Sequence, residues 1–229
     1  MIRRIIEELK KNVHRKSGKK NNGKKVSKIL IAVPAYSHIE NACVRSLFEL
    51  EKPDGVEVGF AYSEGYTVAL ARNMLVAEAL KQEVDYVLWI DADEIIPKDF
   101  LVRTMNILKE KEDAGMACGY YCKKIPGISI TEMWGFTADG KGVENIKEEV
   151  LPKEGGVYEI QGCGLGCSLI PLDIIRKVME KTGICFEYKV AQGKIVSEDL
   201  DFCSKVKALG YKIYADVGLK CPHIGKVAF

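Results

Sequence analysis

The sequence predicts an α/β fold, a mostly parallel sheet with flanking helices that forms a single domain. Three observations carry that prediction. From Lys28 to Lys111 strand-like apolar runs alternate with helical periods, which is the pattern of a parallel sheet joined by crossover helices. Two of the runs, KILIAV and YVLWI, are apolar almost throughout, as strands covered on both faces must be. The second of them stops abruptly at Asp91, Asp93 and Glu94, so charge stands beyond the carboxyl end of a strand, where open α/β sheets take their ligands.

The elements follow in order. KILIAV is the first strand and PAYSHIE a loop, after which Ile39, Cys43, Leu47 and Leu50 recur at the spacing of a helix. GVEVGFAYS alternates like a second strand, VALARNMLVAEALKQ is a helix, and YVLWI is the third strand. Pro97 is expected to open the helix KDFLVRTMNILKEK, because a proline fits the first turn, where its missing N–H costs nothing. The second half is less regular. AGMACGYY and VYEIQ read as strands around a polar stretch, Lys123 to Gly156, with few clear periods; a loop that long in a compact domain is functional or mobile. Next come GCGLGCSLI, a helix PLDIIRKVMEK, a short strand FEYKV, a helix SEDLDFCSKVKALG stopped by Gly210, and a final strand YKIYADV running into GLKCPHIG.

The formal charge of +2 is unevenly spread: Met1 to Lys28 holds eleven basic and two acidic residues and carries +9, leaving −7 on the rest. Within it, Ile2, Ile5, Ile6, Leu9 and Val13 lie at helical spacing, and HRKSGKKNNGKKVSK has almost nothing to bury. Residues 1–27 therefore read as a frayed amphipathic helix with a flexible basic tail, or as a peripheral anchor to an anionic membrane or a hold on an acidic partner; residues 28–229 are expected to form the globular domain. No apolar run reaches the ~20 residues of a membrane span and no signal-peptide stretch is present. A cytoplasmic location is expected, with contact at the inner face of the membrane through the arm, and no nucleic-acid partner. The eight cysteines sit mostly in apolar segments, and their closest spacing is C-x3-C, at Cys118/Cys122 and Cys163/Cys167. That favours small buried thiols over a C-x2-C zinc module, with a disulfide reserved for a hyperthermophilic source.

Asp91 and Asp93 emerge from a continuous apolar strand with one residue between them. On an extended backbone one carboxylate reaches a divalent cation directly and the other directly or through water; a plain strand-end cap accounts for one aspartate but not for the pair. Two carboxylates this close repel unless a cation or proton intervenes. Glu94 is expected to face solvent or to cap the helix after Pro97. Ser197, Glu198 and Asp199 open a helix, where the N-cap and the dipole favour acids, yet capping leaves Asp201 unexplained. His223, beyond the final strand, is an ordinary loop residue or a neutral imidazole ligand.

Taken as an ordered set, ILIAVPAYS, the ARN of VALARNMLVAEAL, YVLWIDADEIIPKDFL, GCGLGCSLIPLDII, SEDLDFCSKVKALGYKIYAD and the closing HIG resemble a glycosyltransferase of the GT-A fold, similar to family 2 and related phage-type and prokaryotic members. The resemblance spans Lys28 to Gly225 apart from the stretch between Cys122 and Gly156. It implies a Rossmann-like sheet and a hexosyltransferase-like enzyme that moves a sugar from a nucleotide-sugar donor, UDP- or GDP-linked, to a glycan, lipid-carrier or protein acceptor. Mn²⁺ or Mg²⁺ would neutralise the diphosphate leaving group. By match to the family motifs, Asp91, Asp93 and His223 would hold the metal, and Ala92 lies within the motif. Pro34, Ala35 and Tyr36 would border the nucleoside, Arg72 and Asn73 would face the nucleotide, and Gly162, Gly164 and Gly166 would line the sugar cleft or serve turn geometry. Asp199, with Glu198 beside it, would deprotonate the acceptor in an inverting displacement. Trp134 would stack on an acceptor ring, pack in the core or touch a lid.

Two other readings stand beside this one. A phosphohydrolase of the haloacid dehalogenase type also places D-x-D after an apolar strand, but it wants Thr or Val where this chain has Ile95, and it sets the motif near the N-terminus. A glycosyltransferase-like protein that binds nucleotide or glycan without turnover would keep the same fold.

Overall fold

The structure, a computed structural model, describes residues 26–125, 127–191 and 193–225; the basic arm expected over 1–27 lies outside the described residues apart from Val26 and Ser27. The first half alternates as the sequence predicts: β1 (Ser27–Pro34), α1 (Asn41–Phe48), β2 (Val56–Ser63), α2 (Val68–Gln82), β3 (Tyr86–Ile90) and α3 (Phe100–Glu110). The second half holds β4 (Ala114–Tyr120), β5 (Ile130–Phe136), β6 (Val143–Lys147), β7 (Val157–Ile160), β8 (Gly162–Cys163), β9 (Cys167–Pro171), α4 (Leu172–Thr182), β10 (Lys189–Ala191), β11 (Lys194–Val196), α5 (Glu198–Lys207) and β12 (Lys212–Lys220).

The central sheet runs β2-β1-β3-β9-β4-β12-β7. β1 pairs in parallel with β2 and β3, and β12 with β4, whereas β9 lies antiparallel between β3 and β4 and β7 closes the edge antiparallel to β12. Five of the seven strands therefore point the same way. Alternate residues of each strand feed opposite faces: Leu30, Ala32, Val87 and Trp89 join one core with residues of α2, α4 and α5. Ile29, Ile31, Val33, Leu88 and Ile90 join the other, with Phe100, Leu101 and Met105 of α3. This is why the runs of β1 and β3 are apolar almost throughout: both faces are covered. Gly183, at φ 77°, ends α4 in the left-handed conformation that a residue without Cβ adopts freely.

Three expectations are corrected. The helix after Pro97 starts at Phe100: Pro97 to Phe100 is first a turn, closed by the Phe100 N–H on the Pro97 carbonyl at 3.0 Å. The stretch from Lys123 to Gly156 is not one loop: β5 and β6 form a hairpin that joins β8 in a second sheet ordered β6-β5-β8. Its alternation was disguised by polar residues, since Thr131 and Met133 are buried while Glu132 and Trp134 between and beyond them are half-buried. FEYKV does not pair as one strand. Phe186 stacks on Phe202, and both its backbone groups bond the Asn73 amide, so only Lys189–Ala191 is left to form a small hairpin with β11. The cysteines are free thiols, all buried except the half-buried Cys122.

Candidate active site

β3 delivers its charge to the carboxyl edge of the sheet. The Asp91 N–H bonds the Gly166 carbonyl at 3.0 Å, the Asp93 carbonyl accepts from the Ile224 N–H at 2.8 Å, and Glu94 and His223 form a backbone bridge. The last strand is thus stitched to the acidic turn by main-chain bonds on either side of His223. His223 Nε2 stands 3.3 Å from Asp93 and 3.6 Å from Glu94, while Nδ1 lies 3.2 Å from the Cys122 carbonyl, a partner that only a protonated Nδ1 satisfies. Nε2 is therefore the ring nitrogen turned towards the two carboxylates.

Glu94 corrects the sequence reading most sharply. It neither faces solvent nor caps a helix: it is 0% exposed, and neither carboxylate oxygen has a hydrogen bond among the described residues. Burial first, and then Asp91, Cys221 and Asp93, push its carboxyl up to about 11. Burial also works against the charged form of Asp93, but hydrogen bonds from His223 and Lys124 outweigh it and hold that group at about 2. Ligand atoms of Asp93, Glu94 and His223 lie within 4.8 Å of one another. Two carboxylates and an imidazole with positions left over suit Mn²⁺ or Mg²⁺, and a buried carboxylate without a donor is what such an ion would satisfy. These three residues could hold the divalent ion that the resemblance implies; Asp91, expected beside Asp93, is not in this group.

Asp91 is turned to a different partner. The Arg72 guanidinium, on α2 and only 2% exposed, bonds Asp91 Oδ1 at 2.9 Å and Glu198 Oε1 at 2.6 Å. Burial opposes its charge, but Asp91 and Glu198 more than compensate. Arg72 therefore locks β3 to the start of α5, buried between two carboxylates. Asn73 is also buried; its amide bonds the carbonyls of Ala69 and Phe186 at 2.8 and 2.7 Å, so it is a clamp on the chain after α4.

Gly166 permits the approach of Asp91: a Cβ there would lie 2.7 Å from Asp91 Oδ2. A Cβ on Gly164 would meet the Tyr121 hydroxyl at 2.1 Å, and one on Gly162 would touch Leu200 at 3.0 Å. Gly162 and Gly164 thus serve close packing, and neither lines the cavity described next. That cavity, of about 340 Å³, is lined by Pro34, Tyr36, His38, Asp91, Ala92, Asp93 and His223 among others. Tyr36 is 79% exposed, and Ala35 is buried behind it.

At the start of α5, Asp199 is half-buried; its Oδ1 accepts from the Ser197 hydroxyl and, at 2.8 Å, from the Leu200 N–H. Glu198 is spoken for by Arg72, yet burial still raises its carboxyl above the ordinary range. Asp201, the unexplained third acid, pairs with Lys205 and Lys189, each at 2.7 Å. Two residues of this region escaped the sequence reading. Glu132, on β5, is raised by burial, an effect Lys123 opposes and the nearby Asp199 adds to. Lys124 forms an ion pair with Asp93. Both lie in the stretch without clear periods, where only the local Lys123-Lys124 pair was a signal. Trp134 is half-buried, with Lys123 Nζ 5.7 Å from its ring centroid.

No protein-family model matches the chain and no curated protein matches it. Solved structures do. The chain is similar to A197 from STIV at 18% identity, with a TM-score of 0.56 over 87% of this chain and 86% of that one. It is similar to GalNAc-T7, solved with UDP, GalNAc and Mn²⁺, at 8% identity and a TM-score of 0.57 over 90% of this chain and 45% of that one. The mannosyltransferase PcManGT from Pyrobaculum calidifontis, in complex with GDP-Man and Mn²⁺, matches at 14% identity and a TM-score of 0.53 over 95% and 63%. The chain spans less than half of GalNAc-T7 and under two thirds of the mannosyltransferase. The fold is that of the GT-A glycosyltransferases, one domain built on a mostly parallel sheet.

Proposed function

We propose that the chain is a metal-dependent glycosyltransferase, moving a sugar from a UDP- or GDP-linked donor to an acceptor hydroxyl with inversion. The observation that carries this reading is the meeting of Asp93, Glu94 and His223, with Glu94 buried behind and Asp93 and His223 lining a cavity whose wall also includes Pro34 and Tyr36. The Mn²⁺ and nucleotide-sugar complexes of the structural neighbours support it. Asp93, Glu94 and His223 would hold Mn²⁺ or Mg²⁺, which neutralises charge on the departing diphosphate. Tyr36 offers an exposed ring for the nucleobase. Arg72 keeps Asp91 and Glu198 in register, and Asp199 takes the acceptor proton: Ser197 and Leu200 fix its Oδ1, and its Oδ2 has no hydrogen bond among the described residues. The acceptor is a glycan, a lipid carrier or a protein. We place the enzyme in the cytoplasm with residues 1–27 at the membrane face; no helix among the described residues is long and apolar enough to cross a membrane.

A thermal-shift panel of UDP-, GDP-, CDP- and dTDP-sugars, with and without Mn²⁺, tests this. One nucleotide at a hundred times its Kd should add about 2.7 kcal/mol of stability, and only with the metal present. No shift with any donor would remove the reading; binding without transfer to any acceptor would leave a non-catalytic binding protein.

A further inference from the structure

His223 also lines a second cavity, of about 360 Å³, which shares no other residue with the first. Lys123, Lys124 and Lys220 line it, against one acid, Glu148. Three ammonium groups in one cavity are not background in a chain that carries −7 beyond its basic arm. Their present partners differ. Lys220 pairs with Glu148 at 2.5 Å, whereas Lys123 bonds the neutral Asn145 amide oxygen, at 3.0 Å, and has no ion pair among the described residues. Lys124 is held by Asp93, one of the three residues that fit a divalent ion. An ion on Asp93 competes for the same carboxylate, which frees the Lys124 ammonium to turn to an anion in the cavity. Ile125 and Ile128, also on the lining, are 44% and 49% exposed and form an apolar lip.

We propose that this cavity binds a phosphate monoester group of the acceptor, held by Lys123, Lys124 and Lys220 next to the metal-binding edge. A phosphate monoester carries close to two charges and three acceptor oxygens at neutral pH, which suits three separate ammonium donors better than a carboxylate does. The inference rests on the glycosyltransferase reading and names the acceptor class for that same site. The phosphate belongs to an amphiphile whose apolar part crosses Ile125 and Ile128, or to a soluble sugar phosphate.

The test is calorimetry in Mg²⁺ with octyl phosphate, glucose 1-phosphate and, as uncharged control, octanol, on the wild type and on Lys123→Gln/Lys220→Gln. At least one monoester should bind the wild type, about tenfold or more weakly in the double variant, and octanol should not bind. Octyl phosphate binding assigns an amphiphilic acceptor, and glucose 1-phosphate binding a soluble one. Nucleotide binding with Mn²⁺ should be the same in both proteins, which also reports folding; the exposed Lys220→Gln change alone carries the comparison if the double variant does not fold. Failure of both monoesters to bind, or equal binding by the variant, overturns the proposal. Monoester failure with nucleotide binding intact overturns this subsite alone, whereas absent nucleotide binding overturns the glycosyltransferase reading.

Discussion

Arg72→Met removes a charge but keeps most of the side chain's volume, and it isolates what the guanidinium does. Arg72 joins Asp91, whose side chain is 25% exposed, to Glu198, which is 6% exposed. Breaking a buried pair by deleting one partner costs ~3–5 kcal/mol, because the other charge stays buried. Asp91 is wet enough to recover part of its hydration, so the lower end applies, about 3 kcal/mol near neutral pH. In a chain of this size that lowers Tm by roughly 6–12 °C. The loss should depend on pH. Burial already raises Glu198 above its ordinary 4.5 while Arg72 pulls it down, so without Arg72 it rises further. A carboxyl raised in the folded state contributes stability that is full below its unfolded value and is lost as pH rises through its folded value. The deficit of the variant should therefore be largest at about pH 8 and shrink towards about pH 5. Urea unfolding of both proteins across that range measures it. A deficit under about 1 kcal/mol at neutral pH, or one that stays flat with pH, would refute the structural role given to Arg72.

Other outcomes are expected at the site itself. Glu94→Gln, nearly isosteric with the protonated side chain, should leave the metal-free Tm within a few degrees but weaken Mn²⁺ binding about tenfold or more, read by calorimetry; unchanged affinity would take Glu94 out of the ligand set. Asp199→Asn should bind donor and metal as the wild type does and lose transfer by about a hundredfold to ten-thousandfold, so wild-type turnover would end its role as base. Gly166→Ala puts a Cβ 2.7 Å from Asp91 Oδ2. It should cost about 1–3 kcal/mol in urea unfolding, and an unaltered stability would mean that Asp91 has room to move.

Most of the first half was legible because β1 and β3 send their residues to two covered faces and read as continuous apolar runs, while β2 alternates as an edge strand does. The D-x-D was legible for the same reason, as charge that could only lie past the end of β3. Glu94 was not. Its burial comes from Cys221, Pro222 and His223, well over a hundred residues away in the chain, which fold back over the turn; nothing in DADEII announces that lid. Arg72 stood out in its ARN motif, but its partners are two carboxylates that local spacing cannot bring together. The hairpin of β5 and β6 escaped because Thr131 and Glu132 blur the period of two, and with it went Lys124 and Glu132.

The insertion of β9 between β3 and β4 has a consequence for how the chain reaches this state. β3 pairs with β9 from Tyr86 with Pro171 to Ile90 with Cys167, so the newly synthesised strand YVLWI waits for some eighty further residues before its second edge is covered. During that wait a row of unpaired backbone groups flanked by apolar side chains is open to pairing with another nascent chain. Contacts of such long sequence separation also fold slowly. Fragments cut near residue 112 should therefore aggregate rather than fold, and productive synthesis of this protein should lean on chaperones until the glycine-rich turn arrives.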